Sequence, residues 1–195
     1  GLKGDSAPKK KLFLNERIAR GDTRTPSSLL LDAGTTKDGS NETSALFGAK
    51  KVFDYPKPVS LLKRLIRYGT HGTPNAIVLD FFSGSGTSAH ATMQLNAEDG
   101  GNRRHIQVQL PEPVPGGGAA RKIGFETISE AAQERIRRAG EKIQEDFSEQ
   151  LSQRDTPLDV GFRAYKLSDT NFSKWQVSSD TPANELEQHL LELRE

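Results

Sequence analysis

The sequence contains no cysteine among its 195 residues. That excludes a disulfide framework and any thiolate metal site, and it agrees with a reducing, cytoplasmic compartment. No apolar run approaches the roughly 20 residues that span a bilayer. The opening "GLKGDSAPKKK" has no apolar stretch behind its lysines, which argues against a signal peptide. It also lacks an initiating Met, so the chain is expected to be processed or a piece of something longer. The four histidines, His71, His90, His105 and His189, fall at no metal-ligand spacing and are expected on the surface or in turns, with no metal site. There is no internal repeat. What is present is polar: 33% hydrophobic against 27% charged residues reads as a soluble chain, long enough for one domain with a sizeable core.

The net charge of +1 conceals an asymmetry. Residues 1–70 hold 14 Lys and Arg against 7 Asp and Glu, and residues 71–195 hold 13 against 19. A basic N-terminal part suits a polyanion such as DNA, although an uneven solvated surface has the same composition.

Residues 1–50 read as loops, rich in Gly, Ser, Thr, Asp and Lys. In "FDYPKPVSLLKRLIRYGT", Pro58 suits a first helical turn, Leu61, Leu62, Leu65 and Ile66 repeat at helical spacing, and Gly69 is a stop. "NAIVLDFF" is a continuous apolar run, expected as a strand buried on both faces. "TSAHATMQLN" follows as a helix, "RRHIQVQL" as a second strand ended by Pro111, and "PEPVPGGGAARK" as a flexible loop. Thr127 and Glu130 form a capping box, and Ile128, Ala132, Ile136, Ala139, Ile143 and Phe147 line one helical face. "RIRR", Arg135 to Arg138, is assigned to the wet side of that helix. "VGFRAYKLS" is expected as a third strand and "NELEQHLLELRE" as a terminal helix. The order implies an α/β fold with a mainly parallel sheet.

Between the first strand and its helix lies "SGSGT". Gly84, Gly86 and Ala89 fit the G-x-G-x-x-G/A fingerprint. Glycine there admits positive φ and removes side chains that would block a ligand, while helix N–H groups point at whatever lies over the turn. No Lys follows Gly86, which sets aside a Walker loop. A dinucleotide site would want an acidic residue after the second strand; "VQLPE" offers Gln109 and Glu112. A turn without any ligand is the plain alternative.

"LDFFSGSGT", with Asp80 and two phenylalanines before the glycines, resembles motif I of the S-adenosylmethionine-dependent DNA amino-methyltransferases. "FDYPKPVSLLKRLI" resembles motif X of the same enzymes, and its place just before motif I is the circularly permuted order of the β group. "PSSLLLDAGTTKDGSNETSALFG", "LNAEDGGNRRHIQVQLPEP", "TISEAAQERIRRAG" and "VGFRAYKLSDTNFSKW" together are similar to the modification (Mod) subunit of type III restriction–modification systems, from about Arg24 to Trp175. The resemblance implies a partial Rossmann-like methyltransferase fold. It implies a cofactor turn of Asp80 and Phe82 to Gly86, with Phe81 or Phe82 against the cofactor and Thr87 opening the helix. Phe53, Lys57 and Pro58 would border the methionine moiety. Many relatives have Glu where Gln109 stands at the ribose, so either Gln109 makes a neutral contact or Glu112 takes over. The implied domains are a loop-rich remnant of the target-recognition region (1–50), the cofactor-binding part (51–175) and a tail (176–195).

Amino methylation also requires an Asp/Asn-Pro-Pro-Tyr/Phe motif to hold the target amino group and stack on a flipped base. The sequence has no two adjacent prolines. In the permuted order that motif precedes residue 1. The chain is therefore expected to be the cofactor half, inactive alone, of a site-specific adenine-N6 methyltransferase. Cytosine-N4 methylation and a non-catalytic cofactor- or partner-binding module are the alternatives. Implied partners are double-stranded DNA, a restriction (Res) subunit and a second copy. Lys9, Lys10, Lys11, Arg17, Arg20 and Arg24 are candidates for the DNA backbone, with a solvated arm as the alternative. Trp175 with Phe172 is an anchor for the C-terminal segment or a base contact.

Overall fold

The computed structural model describes residues 29–168 and 181–192. The candidate DNA contacts at Lys9 to Arg24, and Phe172 and Trp175, lie outside the described residues. The chain divides into two compact units, one ending at Gly161 and the other beginning at Phe162.

The first unit is mixed helix and strand around a small parallel sheet. Helix α1 (Thr36–Phe47) is followed by α2 (Val59–Gly69), β1 (Ile77–Asp80), α3 (Thr87–Asp99), β2 (Arg104–Gln107), a short α4 (Ala119–Lys122), α5 (Ile128–Asp146) and α6 (Ser148–Ser152). β1 and β2 pair in parallel with Leu79 opposite Ile106 and Asp80 opposite Gln107. The ladder continues past the strand ends through Val108 N–H to Asp80 O and Ser83 N–H to Val108 O, which pins the start of the glycine turn.

Helix α3 is the centre. It packs against α2, α5 and both strands, so every residue from Thr87 to Ala97 except Gln94 is buried. Small side chains, Ser88, Ala89, Ala91 and Thr92, allow that close approach. The polar ones are satisfied locally: Thr92 Oγ1 donates to Ser88 O at 2.7 Å. The Asn96 amide donates to Arg103 O at 2.8 Å and accepts from Arg103 N–H at 3.0 Å. His90 is buried as well, correcting the expectation that the histidines are surface or turn residues. Burial lowers its pKa to about 3, with Arg135 adding to the effect.

Helix α5 starts with the expected Thr127–Glu130 capping box, a device that contributes about 1 kcal/mol. Ala132, Ile136, Ala139 and Ile143 are buried as expected, but so is Arg135, at 0% exposure. The "RIRR" run is thus not one wet face. Arg138 pairs with Glu134 at 2.7 Å and lies 4.9 Å over the Phe47 ring, while Arg135 turns inward.

Residues 36–47, expected as loop, are helical. A Thr35–Asp38 capping box starts α1 and Gly48, at φ 64°, ends it. Its buried stripe is Gly39, Thr43 and Phe47. A Cβ on Gly39 would lie 2.2 Å from Pro56 O, so only glycine lets α1 lie against the Pro56–Lys57 backbone. Within "PEPVPGGGAARK", the end is helical (α4) and Pro113 bridges Thr127, so this segment is only partly loop.

The expectation that β1 is buried on both faces fails for a specific reason. Val78 packs into the cluster of Val59, Ile66, Ala91 and Leu95. On the opposite face, Ile77, Leu79, Phe81, Ile106, Val108 and Leu110 are 44–63% exposed. Among the described residues, helices cover one side of the sheet only. "VGFRAYKLS" is not a strand either: Val160 to Ser168 take no regular secondary structure.

In the second unit, Ala183–Glu192 forms helix α7, as the leucine spacing implies. Among the described residues no helix is long and apolar enough to cross a membrane.

Candidate functional site

β1 ends at Asp80, and the chain turns through Ser83 to Gly86 before α3 begins at Thr87. Gly86 N–H donates to Ser83 O at 2.8 Å, closing the turn. Gly84 and Gly86 sit at φ 50° and 72°, the left-handed region where a side chain is strained. The two glycines differ in what surrounds them. A Cβ on Gly86 would meet Ile136 Cγ1 at 3.3 Å, so Gly86 packs the turn onto α5. On Gly84 the nearest atom would be Phe82 O, 3.9 Å away, which leaves its side open to a ligand.

Polar side chains surround this opening. Asp80 Oδ1 accepts Phe82 N–H at 3.2 Å. Ser88 Oγ lies 2.5 Å from Asp80 Oδ2 and 2.8 Å from Gln107 Oε1. With one proton to give, it serves the charged oxygen. Asp80 is therefore fixed at the base of the turn with lone pairs remaining. Gln109 Oε1 accepts Gly84 N–H at 2.7 Å, and its Nε2 donates to Glu112 Oε2 at 3.1 Å. Phe81 and Phe82 stand exposed, ring centroids 5.0 Å apart.

The upstream segment also reaches the start of α3. Thr87 Oγ1 donates to Lys57 O at 3.4 Å. Pro58 is the N-cap of α2 and has no side-chain donor or acceptor; Glu42 of α1 supplies one instead, accepting Val59 N–H at 2.9 Å. Burial raises the Glu42 pKa. Phe53 does not stand with them: its ring packs edge-on against Phe47, centroids 6.1 Å apart, in the cluster with Val52, Val114, Ala120 and Phe125.

Of the residues the sequence singles out, the fold thus gathers Asp80, Phe81, Phe82, Gly84, Gly86, Thr87, Gln109 and Glu112 at the turn, with the Lys57 backbone beside it. Sequence reasoning missed Arg135, whose Nη1 donates to Thr87 Oγ1 at 2.6 Å and Ser85 Oγ at 2.9 Å. Its signal was available: Ala131, Arg135 and Ala139 are four apart, on one buried helical face. Among the described residues no group of three or more acidic or histidine side chains is placed to hold a metal ion.

A family model described as DNA methylase, covering N6 and N4 methyltransferases, matches residues 14–137. The StyLTI type III restriction-modification Mod subunit of Salmonella typhimurium is 39% identical over 137 residues, 70% of this chain and 20% of that protein. The EcoPI type III Mod subunit of Escherichia phage P1 is 33% identical over 163 residues, 82% of this chain and 24% of its own. The type II methyltransferase M.KpnI of Klebsiella pneumoniae is 40% identical over 101 residues, 52% of this chain and 24% of that protein. The likeness to Mod subunits read from the motifs is thereby borne out. The chain spans about a fifth to a quarter of the length of these relatives.

Proposed function

The chain belongs to the DNA methylase family, and we propose that it is the cofactor-binding half of an S-adenosylmethionine-dependent, site-specific DNA methyltransferase of a restriction–modification system, acting on adenine N6. The observation that carries this reading is the frame around Gly84. Asp80 lies at the base of the turn, and the Gln109–Glu112 pair is hydrogen-bonded to Gly84 N–H.

The residues fit the cofactor in their chemistry. S-adenosylmethionine supplies a sulfonium methyl group open to attack by an amino nitrogen. Asp80 accepts hydrogen bonds from its ammonium. The exposed Phe81 and Phe82 rings offer apolar surface to its adenine. Gln109 gives its oxygen to Gly84 N–H and one of its two amide hydrogens to Glu112, and the Glu112 carboxylate held there is the group we assign to the ribose hydroxyls. Lys57 and Pro58 border the methionine end.

A methyl donor alone is not a catalyst. The target nitrogen's lone pair is conjugated with its ring, and the missing Pro-Pro motif is the part that would engage it. We place that motif in a further segment of the whole protein, which also covers the bare face of Ile77, Leu79, Ile106, Val108 and Leu110 and completes a Rossmann-like sheet. The whole protein would act in the cytoplasm on double-stranded DNA, as a homodimer joined by a Res subunit. Because no Pro-Pro pair occurs in this chain, the second reading is a module that binds cofactor or partner without chemistry. Calorimetric titration with S-adenosylmethionine and with NADH tests the cofactor assignment. S-adenosylmethionine is expected to bind and NADH not; the reverse would replace the methyl donor by a dinucleotide.

A further inference from the structure

Arg135 is a buried cation without a full set of partners. Its residue is 0% exposed. Nη1 reaches Thr87 Oγ1, Ser85 Oγ and, at 3.3 Å, Ser85 O. Nε and Nη2 are buried and meet no acceptor. Burial lowers its pKa to about 10, so it is charged at neutral pH. The carboxyl that acts on it, Glu42, gives an oxygen to Val59 N–H instead of forming a salt bridge. Burying a cation in this state costs several kcal/mol, which a brace for the turn alone does not explain.

The position of this charge does explain it. It lies directly under the N-terminus of α3, whose unpaired N–H groups are themselves positive. Two positive features therefore meet at one turn, and no carboxylate is hydrogen-bonded to the guanidinium. The contacts also set proton directions. A guanidinium donates only, so Ser85 Oγ and Thr87 Oγ1 must accept from it. Thr87 and Ser85 hydroxyls are 3.0 Å apart. Thr87 gives its one proton to Lys57 O, so the Ser85 proton has only the Thr87 hydroxyl, already an acceptor from Arg135, as its partner in the turn, and a ligand carboxylate over the partly exposed turn is the stronger acceptor for it.

We propose that Arg135 is a positioning residue that makes the Ser85 hydroxyl a donor to the carboxylate of the bound amino-acid moiety, so that the turn selects ligands carrying that carboxylate. This rests on the reading that the turn holds S-adenosylmethionine. Asp80 and Ser85 then serve opposite ends of one zwitterion, the ammonium and the carboxylate.

The test is calorimetry on the full-length protein with S-adenosylmethionine and with its decarboxylated analogue. The wild type is expected to prefer the carboxylate-bearing ligand. Ser85→Ala and Arg135→Met are each expected to reduce that preference about tenfold, the scale of one charge-assisted hydrogen bond, while affinity for the analogue stays within about twofold. Arg135→Lys, which keeps the charge, is expected to retain part of the preference. If Ser85→Ala weakens both ligands equally, or neither, the inference is overturned. That holds even if Arg135→Met fails to fold, because Ser85 is not a core residue. Binding of neither ligand by the wild type would overturn the cofactor reading itself.

Discussion

Gln109 Oε1 accepts the Gly84 N–H at 2.7 Å. The end of one strand thereby holds the turn that follows its neighbour, and the same amide positions Glu112. Gln109 is thus a brace as well as a candidate contact. Gln109→Leu is expected to weaken S-adenosylmethionine binding about tenfold, because Gly84 N–H loses its acceptor and Glu112 its donor, each worth roughly 1 kcal/mol. Asp80→Ala is expected to cost tenfold or more, the loss of a charge-assisted bond to the ammonium. Unchanged affinity in folded variants, measured by calorimetry, would refute these roles.

The glycines make a second set of expectations. Gly86→Ala combines φ 72° with a Cβ 3.3 Å from Ile136, so it is expected to destabilise by about 2 kcal/mol or more. Gly84→Ala, at φ 50° but in open space, should cost about 1 kcal/mol. Gly39→Ala is the sharper test. In an ordinary helix this change stabilises by roughly 0.5–1 kcal/mol, whereas here the clash with Pro56 O reverses the sign. Urea midpoints read all three, and a stabilised Gly39→Ala would contradict the packing of α1 on the Pro56–Lys57 backbone.

His90 gives a pH expectation. Its folded pKa, about 3, lies below the unfolded value of 6.5. The unfolded chain therefore binds the proton first as pH falls, and stability is lost from about pH 6.5 downward, with a slope approaching about 1.4 kcal/mol per unit. Burial lowers the His105 pKa too, which acts in the same direction. His90→Leu is expected to flatten, though not abolish, this loss between pH 6.5 and about 4. An unaltered slope in urea unfolding across that range would show that His90 is not the group responsible.

Lys9, Lys10 and Lys11 belong to the basic N-terminal part. DNA binding by the whole protein is expected to weaken steeply with salt, and neutralising these three lysines to reduce the logarithmic slope by about 0.9 per lost phosphate contact. The same slope with and without them would take them off the DNA backbone.

Legibility followed packing. Helix α5 was readable because its Ile and Ala residues repeat at helical steps behind a capping box, and β1 because an apolar run ends in glycines. Helix α1 was not readable, since its buried stripe is Gly39, Thr43 and Phe47, residues that look like loop until the Pro56 backbone lies against them. Its "TTKD" capping signal was in plain view. Arg135 was hidden by its neighbours: "RIRR" reads as one charged run, although helical geometry separates Arg135 from Arg137 by two residues and places it between Ala131 and Ala139. The division of labour between Gln109 and Glu112 depends on a hydrogen bond to Gly84, a contact 25 residues away along the chain. The exposed face of β1 shows the converse limit. Its apolar run reads as a strand covered on both faces, whereas residues 29–168 cover only one of them.

The most direct test of the account is incorporation of tritiated methyl groups from S-adenosylmethionine into mixed-sequence duplex DNA. Transfer requires donor and target held together within about 3–3.5 Å, and tighter cofactor binding cannot replace a missing target site. The expected result is no incorporation by residues 1–195 alone at saturating cofactor, and incorporation when the segment carrying the Pro-Pro motif is supplied, with N6-methyladenine recovered from the digested DNA. N4-methylcytosine in the digest would replace the target base and keep the architecture. Incorporation by residues 1–195 alone would contradict the account, because it would place catalysis on side chains other than those assigned.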